Sequence, residues 1–180
     1  LAKNACDVEI KMTGSPIGKQ DQFITSYGGV NHIKFLKNDS VIIDKFNKKK
    51  ILDEFQKNLI LLDTGMYMSN KKILSNFMKN IKKKKQNYRD LLEIKKLVSL
   101  FKYNLMQKDF KSCGEILNYN WELKKKFTNN VSNKYFNEIF LNLKKLGIHG
   151  AKLLGAGGRG YFLIIANKST QNRIRKFFFK

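Results

Sequence analysis

Gly14-Ser15-Pro16-Ile17-Gly18-Lys19-Gln20-Asp21-Gln22 puts a carboxylate at the opening of a helix, directly behind a loop punctuated by glycine and proline. Helix N-termini gather unpaired N–H groups and positive potential, so an aspartate buried there stays ionised and sits where phosphates bind. Working outward, a first helix over about residues 2–12 must end before Thr13-Gly14-Ser15-Pro16, because proline cannot continue it. A short second helix begins near Gly18 and closes at Gly28-Gly29. Val30 to Leu36 and Val41 to Phe46 read as the strands of a hairpin around the turn-forming Asn38-Asp39-Ser40. Asn58 to Asp63 is a short apolar run that suits an interior strand.

From Met68 to Leu146 the hydrophobic period becomes helical. Ile73, Phe77 and Ile81 recur four apart with Leu74 and Met78 beside them, and Lys82 to Lys85 falls at a helix junction. Leu91, Ile94, Val98, Phe101 and Leu105 form one amphipathic face. Phe110, Cys113, Leu117 and Trp121 form another, and Phe136, Ile139, Phe140 and Leu143 a third, capped by Ser132 or Asn133. After Gly147 the pattern returns to strand. Lys152 to Leu154 and Tyr161 to Ala166 flank the glycine-dense turn Gly155-Ala156-Gly157-Gly158-Arg159-Gly160, and Ser169 can cap a last helix carrying Ile174, Phe177 and Phe178. Helix, strands, several helices, a strand pair and a helix make an α+β fold rather than alternating α/β.

Composition narrows the class. Apolar content of 42% and charged content of 28% belong to a folded chain, and 180 residues suffice for one core or two small lobes. No apolar run approaches the roughly 20 residues that span a bilayer, and the start has no signal or transit pattern, so a cytoplasmic protein is expected. Two distant cysteines, Cys6 and Cys113, give no disulfide framework. The net charge of +22 raises nucleic acid or an anionic surface as a partner. The lysines are scattered over nearly every segment and arginines are few, which favours a solvated lysine surface over a nucleic-acid-binding face.

Two segments carry a resemblance. Pro16-Ile17-Gly18-Lys19-Gln20-Asp21-Gln22-Phe23, followed by Ser26-Tyr27-Gly28-Gly29, and Gly150-Ala151-Lys152-Leu153-Leu154-Gly155-Ala156-Gly157-Gly158 resemble the GHMP kinase superfamily, most of all its heptose-phosphate kinases. Leu62-Asp63-Thr64-Gly65 and Trp121-Glu122-Leu123-Lys124-Lys125 look like further family positions. The resemblance implies a ferredoxin-like C-terminal lobe over residues 58–180, with residues 1–57 as the remainder of an N-terminal lobe. It implies a sugar kinase that passes the γ-phosphoryl of ATP, with Mg²⁺, to the anomeric hydroxyl of a heptose 7-phosphate or related sugar. The Gly/Ser-rich loop that wraps ATP in such kinases does not occur here, so the 180 residues alone are expected to be an inactive C-terminal portion. The alternatives are a non-catalytic remnant and a basic nucleic-acid-binding module.

The chemistry falls on few residues. Phosphoryl transfer to a hydroxyl needs a group that orients or accepts its proton, and the resemblance places that base at Asp21; an aspartate that merely caps a helix is the plainer alternative. The resemblance makes Glu9 the Mg²⁺ ligand, against a solvated helix glutamate. Lys19, Gln20 and the Tyr27-Gly28-Gly29 turn can contact the sugar, since Gln20 both donates and accepts. Gly155, Ala156, Gly157, Gly158 and Gly160 can bring backbone N–H groups to a phosphate or to the nucleotide loop; the resemblance departs at Arg159. Lys124 and Lys125 are candidates for a remote substrate phosphate, with a solvated helix face favoured, and His32 and His149 stand isolated.

Overall fold

The computed structural model describes residues 1–15, 17–66, 85–126, 131–155 and 158–178. The chain forms two compact units, Leu1–Lys49 and Lys50–Lys180. No described helix is long and apolar enough to cross a membrane.

In the first unit, α1 (Ala2–Cys6) runs directly into a π-helical segment, Asp7–Met12. The expected single α-helix therefore widens halfway, with the Thr13 N–H reaching back five residues to the Val8 carbonyl. Helix α2 (Gln20–Tyr27) follows and ends at Gly28, whose φ of 62° needs no Cβ. Strands β1 (Asn31–Phe35) and β2 (Val41–Lys45) pair antiparallel with Ile33 opposite Ile43. Their turn is closed by the Asn38 side chain, which accepts from the Ser40 N–H at 3.2 Å. Ala2, Cys6 and Phe23 form the core, with Ile10, Ile33, Val41 and Ile43 packed against them. Phe23 meets Phe35 edge-on at 5.4 Å.

The second unit opens with α3 (Lys49–Lys57), a helix the hydrophobic pattern did not announce because only Phe55 is buried in it. Strands β3 (Leu59–Asp63), β4 (Gly150–Leu153) and β5 (Tyr161–Ile165) form an antiparallel sheet in the order β3-β5-β4. β3 is thus an edge strand among the described strands rather than an interior one, and its Leu61 is 55% exposed while Ile60 and Leu62 face the core. Helices α4 (Lys85–Met106), α5 (Phe110–Lys125), α6 (Lys134–Lys145) and α7 (Lys168–Phe178) complete the unit.

The buried edge of α4 runs through Leu97 and not Val98, which is 47% exposed. The expected stripe is right at Ile94, Phe101 and Leu105, and one residue out in between, because two apolar neighbours leave the helical phase ambiguous. The helix expected from Ile73, Leu74, Phe77, Met78 and Ile81 lies outside the described residues. Asn133 caps α6 by accepting from the Phe136 N–H at 3.0 Å. At α7 the cap is Asn167, not Ser169: Asn167 accepts from the Thr170 N–H at 2.9 Å, and the Ser169 hydroxyl donates to the same oxygen.

Phe162 centres the main core, with Trp121 at 6.2 Å and Phe136 and Phe140 each at 6.4 Å between ring centroids. Opposite Phe162 stand Leu62 on β3 and Leu153 on β4, so one face of the sheet is continuous with this cluster. Helix α5 covers the open edge of β4. Its Asn118 accepts from the Ala151 N–H at 2.9 Å and donates to the His149 carbonyl at 3.2 Å, doing for that edge what a further strand would do.

Candidate functional site

Two sets of residues are candidates for chemistry, one in each unit. In the first unit, Gly14 (φ 63°) turns the chain out of the π-helical segment, and Lys19 stands at the N-cap of α2 without a side-chain capping bond. Asp21 lies in the first turn of α2 and is exposed, so the burial expected for it is not there. It does not cap the helix. Its carboxylate instead accepts from the neighbouring Gln20 amide at 3.3 Å, and the first-turn position keeps it in the favourable field of the helix dipole.

Lys19 does not turn to Asp21. Its ammonium pairs with Asp39 on the hairpin turn at 2.7 Å, and this hydrogen bond and charge hold the exposed Asp39 below the usual carboxylate range. Tyr27 is exposed and stacked on Phe23, while Gly28 and Gly29 (φ 62° and 69°) form the turn that leaves α2. Glu9 projects from the π-helical segment. Its carboxylate accepts from the buried Gln22 amide at 2.7 Å, and its backbone carbonyl accepts from the Thr13 hydroxyl at 2.6 Å and the Ser15 N–H at 3.1 Å. The structure therefore joins Glu9 to the α2 motif through Gln22, a residue that sequence reasoning passed over.

In the second unit the glycine turn is fixed by its own chain. Gly155, Gly158 and Gly160 have φ of 67°, 72° and 97°, a region only glycine enters freely. Ala156 and Gly157 lie outside the described residues. The Gly158 N–H donates to the Val131 carbonyl at 3.0 Å and the Gly160 N–H to the Met66 carbonyl at 3.3 Å. Those two groups, expected to face a phosphate, are spent on fixing the turn. Thr64 grips Gly160 from the other side, its N–H and hydroxyl both donating to the Gly160 carbonyl at 3.0 and 2.6 Å. Arg159 is exposed.

The Lys124 ammonium donates to the Gly155 carbonyl, so Lys124 is half-buried under the turn and not on a solvated face. Lys125 pairs with Glu122 at 2.9 Å. The two weaker sequence segments, around Thr64 and around Lys124, thus converge on the two ends of the glycine turn. Spacing alone cannot report that, since β3, α5 and the turn lie far apart in the chain.

Burial, and after it the charge of Lys152, push Lys124 down to about 7, and burial lowers Lys152 as well. The ordinary value for a lysine is 10.5, so above pH 7 the folded chain releases the Lys124 proton while the unfolded chain keeps it. Stability then rises with pH, by at most about 1.4 kcal/mol per pH unit for one proton. The buried Cys113 thiol, pushed up to about 12 from 9.0, acts oppositely above about pH 9, where the unfolded thiol ionises first. We expect urea-unfolding free energy to climb between pH 7 and 9, and Lys124→Met to flatten that climb. An unchanged slope in the variant would assign the titration elsewhere.

No group of three or more His, Cys, Asp or Glu side chains converges among the described residues. A lone carboxylate, that of Glu9, is what the sequence resemblance would give a Mg²⁺ ion, and one of its oxygens is engaged by Gln22. That fits a cation whose other ligands are phosphate oxygens and water.

The second unit, an antiparallel sheet backed by helices with a tied glycine turn, gives the class of fold. Residues 77–180 match the family described as GHMP kinases C terminal, and the chain belongs to it. It is 28% identical, over 98% of its length, to the D-glycero-alpha-D-manno-heptose 7-phosphate kinase of Campylobacter jejuni. The chain spans about half the length of that relative, 52%. Among solved structures it resembles a D-glycero-D-manno-heptose 1-phosphate kinase from Bacteroides thetaiotaomicron, with a TM-score of 0.66, 24% identity, and 98% of this chain and 47% of that one covered. It also resembles the L. major mevalonate kinase, with a TM-score of 0.70, 21% identity, and 88% and 47% covered. At those identities the structural likenesses speak to the fold alone.

Proposed function

We propose that this chain serves a sugar kinase that passes the γ-phosphoryl of ATP to the anomeric hydroxyl of a heptose 7-phosphate or a close relative of it. The observation that carries the reading is the linked pair in the first unit. Asp21 is presented to solvent at the opening of α2, and Glu9 is joined to the same helix through Gln22. Similarity to a heptose 7-phosphate kinase over 98% of the chain supports the choice of acceptor.

Asp21 orients the acceptor hydroxyl and takes its proton as the oxygen attacks phosphorus; the leaving group is ADP. The first turn of α2 places this carboxylate in the favourable field of the helix dipole. Glu9 supplies one oxygen to Mg²⁺, which when bound neutralises phosphate charge. Gln20 stands next to the base as a hydroxyl-recognising amide, and Lys19, once released from Asp39, is long enough to meet an anionic substituent. The glycine turn contributes a fixed shape, because its Gly158 and Gly160 N–H groups are already bonded.

The test is a panel of acceptors with ATP, run on the protein at its full natural length. Heptose 7-phosphate should lead galactose, fucose and mevalonate by about 10⁴-fold in kcat/KM, the scale on which polar groups left unpaired reject a poorer substrate. Preference for an unphosphorylated hexose or for mevalonate would overturn the acceptor assignment.

A further inference from the structure

We propose that Gln22 is a positioning residue: its buried side-chain amide fixes the Glu9 carboxylate in the orientation that receives a divalent cation. The inference rests on the reading of Glu9 as a metal ligand and adds a residue to it. Gln22 is 5% exposed, and its Nε2 donates to Glu9 Oε2 at 2.7 Å. Its Oε1 is buried and has no hydrogen-bond partner among the described residues. The amide cannot be turned over to relieve this, because its oxygen would then face a carboxylate, acceptor against acceptor.

A buried acceptor without a partner costs stability, and a side chain placed only to fill that space would be apolar. The unsatisfied oxygen is tolerated because the other half of the amide makes a charge-assisted bond to Glu9. Glu9 is held at its other end too. Its carbonyl takes the Thr13 hydroxyl and the Ser15 N–H, and it sits in a π-helical turn, a widening that recurs at functional positions. Backbone and carboxylate are thereby both fixed, leaving the second carboxylate oxygen to meet a cation. Groups that orient a metal ligand typically govern affinity by about 10- to 100-fold.

The experiment is a Mn²⁺ titration followed by electron paramagnetic resonance on the protein at its full natural length, with a non-hydrolysable ATP analogue present. Wild type is compared with Gln22→Leu, Gln22→Met and Glu9→Gln, and each variant is also melted. The expected result is Mn²⁺ affinity lowered about tenfold in Gln22→Leu and Gln22→Met, with a melting temperature equal to or above wild type. Removing the unpartnered oxygen should not destabilise the fold. Unchanged affinity in a folded Gln22 variant, with Glu9→Gln impaired, would sink the role of Gln22 and leave that of Glu9 standing. Unchanged affinity in Glu9→Gln would remove the metal-ligand reading itself. A lowered melting temperature with affinity within twofold of wild type would make Gln22 a packing residue and overturn the proposal.

Discussion

Asp21→Asn should lower kcat by at least about 100-fold while leaving the fold almost unchanged, the scale on which a positioned acid–base group assists proton transfer. The substitution is informative because Asp21 carries so little of the local structure. It makes no capping bond to α2, its helix is entered through Lys19, and among the described residues its carboxylate bonds the Gln20 amide at 3.3 Å. Asparagine retains an acceptor of the same shape, so that contact can survive. What disappears is the negative charge in the first turn, worth about 0.3–1 kcal/mol of stability through the helix dipole. A loss of two decades in rate beside so small a loss in stability cannot arise from misfolding. ATP binding should be little altered, so the deficit belongs in kcat rather than in KM for ATP. Stopped assays at saturating ATP and acceptor, with a parallel denaturant titration, measure both halves. Near-normal turnover would remove Asp21 from the mechanism and return it to a solvated helix residue.

What the sequence made legible follows physical rules. The hairpin, the strand pair around the glycine turn, and α6 were readable because each is bounded by turn residues and has a clean period, as with Phe136, Ile139, Phe140 and Leu143. The family was readable because its signature lies in two short runs where backbone conformation restricts the residue, at Gly28 and at Gly155, Gly158 and Gly160. Less legible were features set by distant partners. The pairing of Lys19 with Asp39 spans 20 residues, and nothing near Lys19 signals it. Lys124 sits in a lysine run that looks like a solvated face, yet it alone reaches the Gly155 carbonyl while Lys125 pairs with Glu122. Gln22 was obscured for a different reason. A polar residue beside Asp21 reads as part of a surface motif, whereas burial next to Phe23 turns it toward Glu9. The π-helical widening at Asp7–Met12 leaves no mark in side-chain periodicity over so few residues.

Gly114→Ala should destabilise the second unit by about 3 kcal/mol or more, the reverse of what this substitution does in most helices. Inside a helix, alanine is favoured over glycine by up to about 1 kcal/mol. That gain is overridden here by backbone-to-backbone contact between α5 and β4. A Cβ on Gly114 would stand 2.5 Å from the His149 carbonyl carbon and 2.6 Å from the Gly150 nitrogen. These are main-chain atoms at the start of β4 and cannot rotate aside. The facing Gly150 is equally constrained, since a Cβ there would land on the Gly114 carbonyl. Relief requires α5 to back away from the sheet. Overpacking of that kind costs about 1–3 kcal/mol, and the displacement would also strain both Asn118 bonds to the β4 edge, each worth about 1 kcal/mol. It would disturb the fully buried Trp121 against Phe162 and the Lys124 contact that holds the glycine turn. Gly18→Ala is the control: its φ is not positive and nothing lies within 4 Å of the added carbon, so it should shift stability by no more than about 0.5 kcal/mol. Urea unfolding of the two variants beside wild type decides the matter. A Gly114→Ala protein as stable as wild type, or more so, would mean that α5 and β4 do not meet through their backbones.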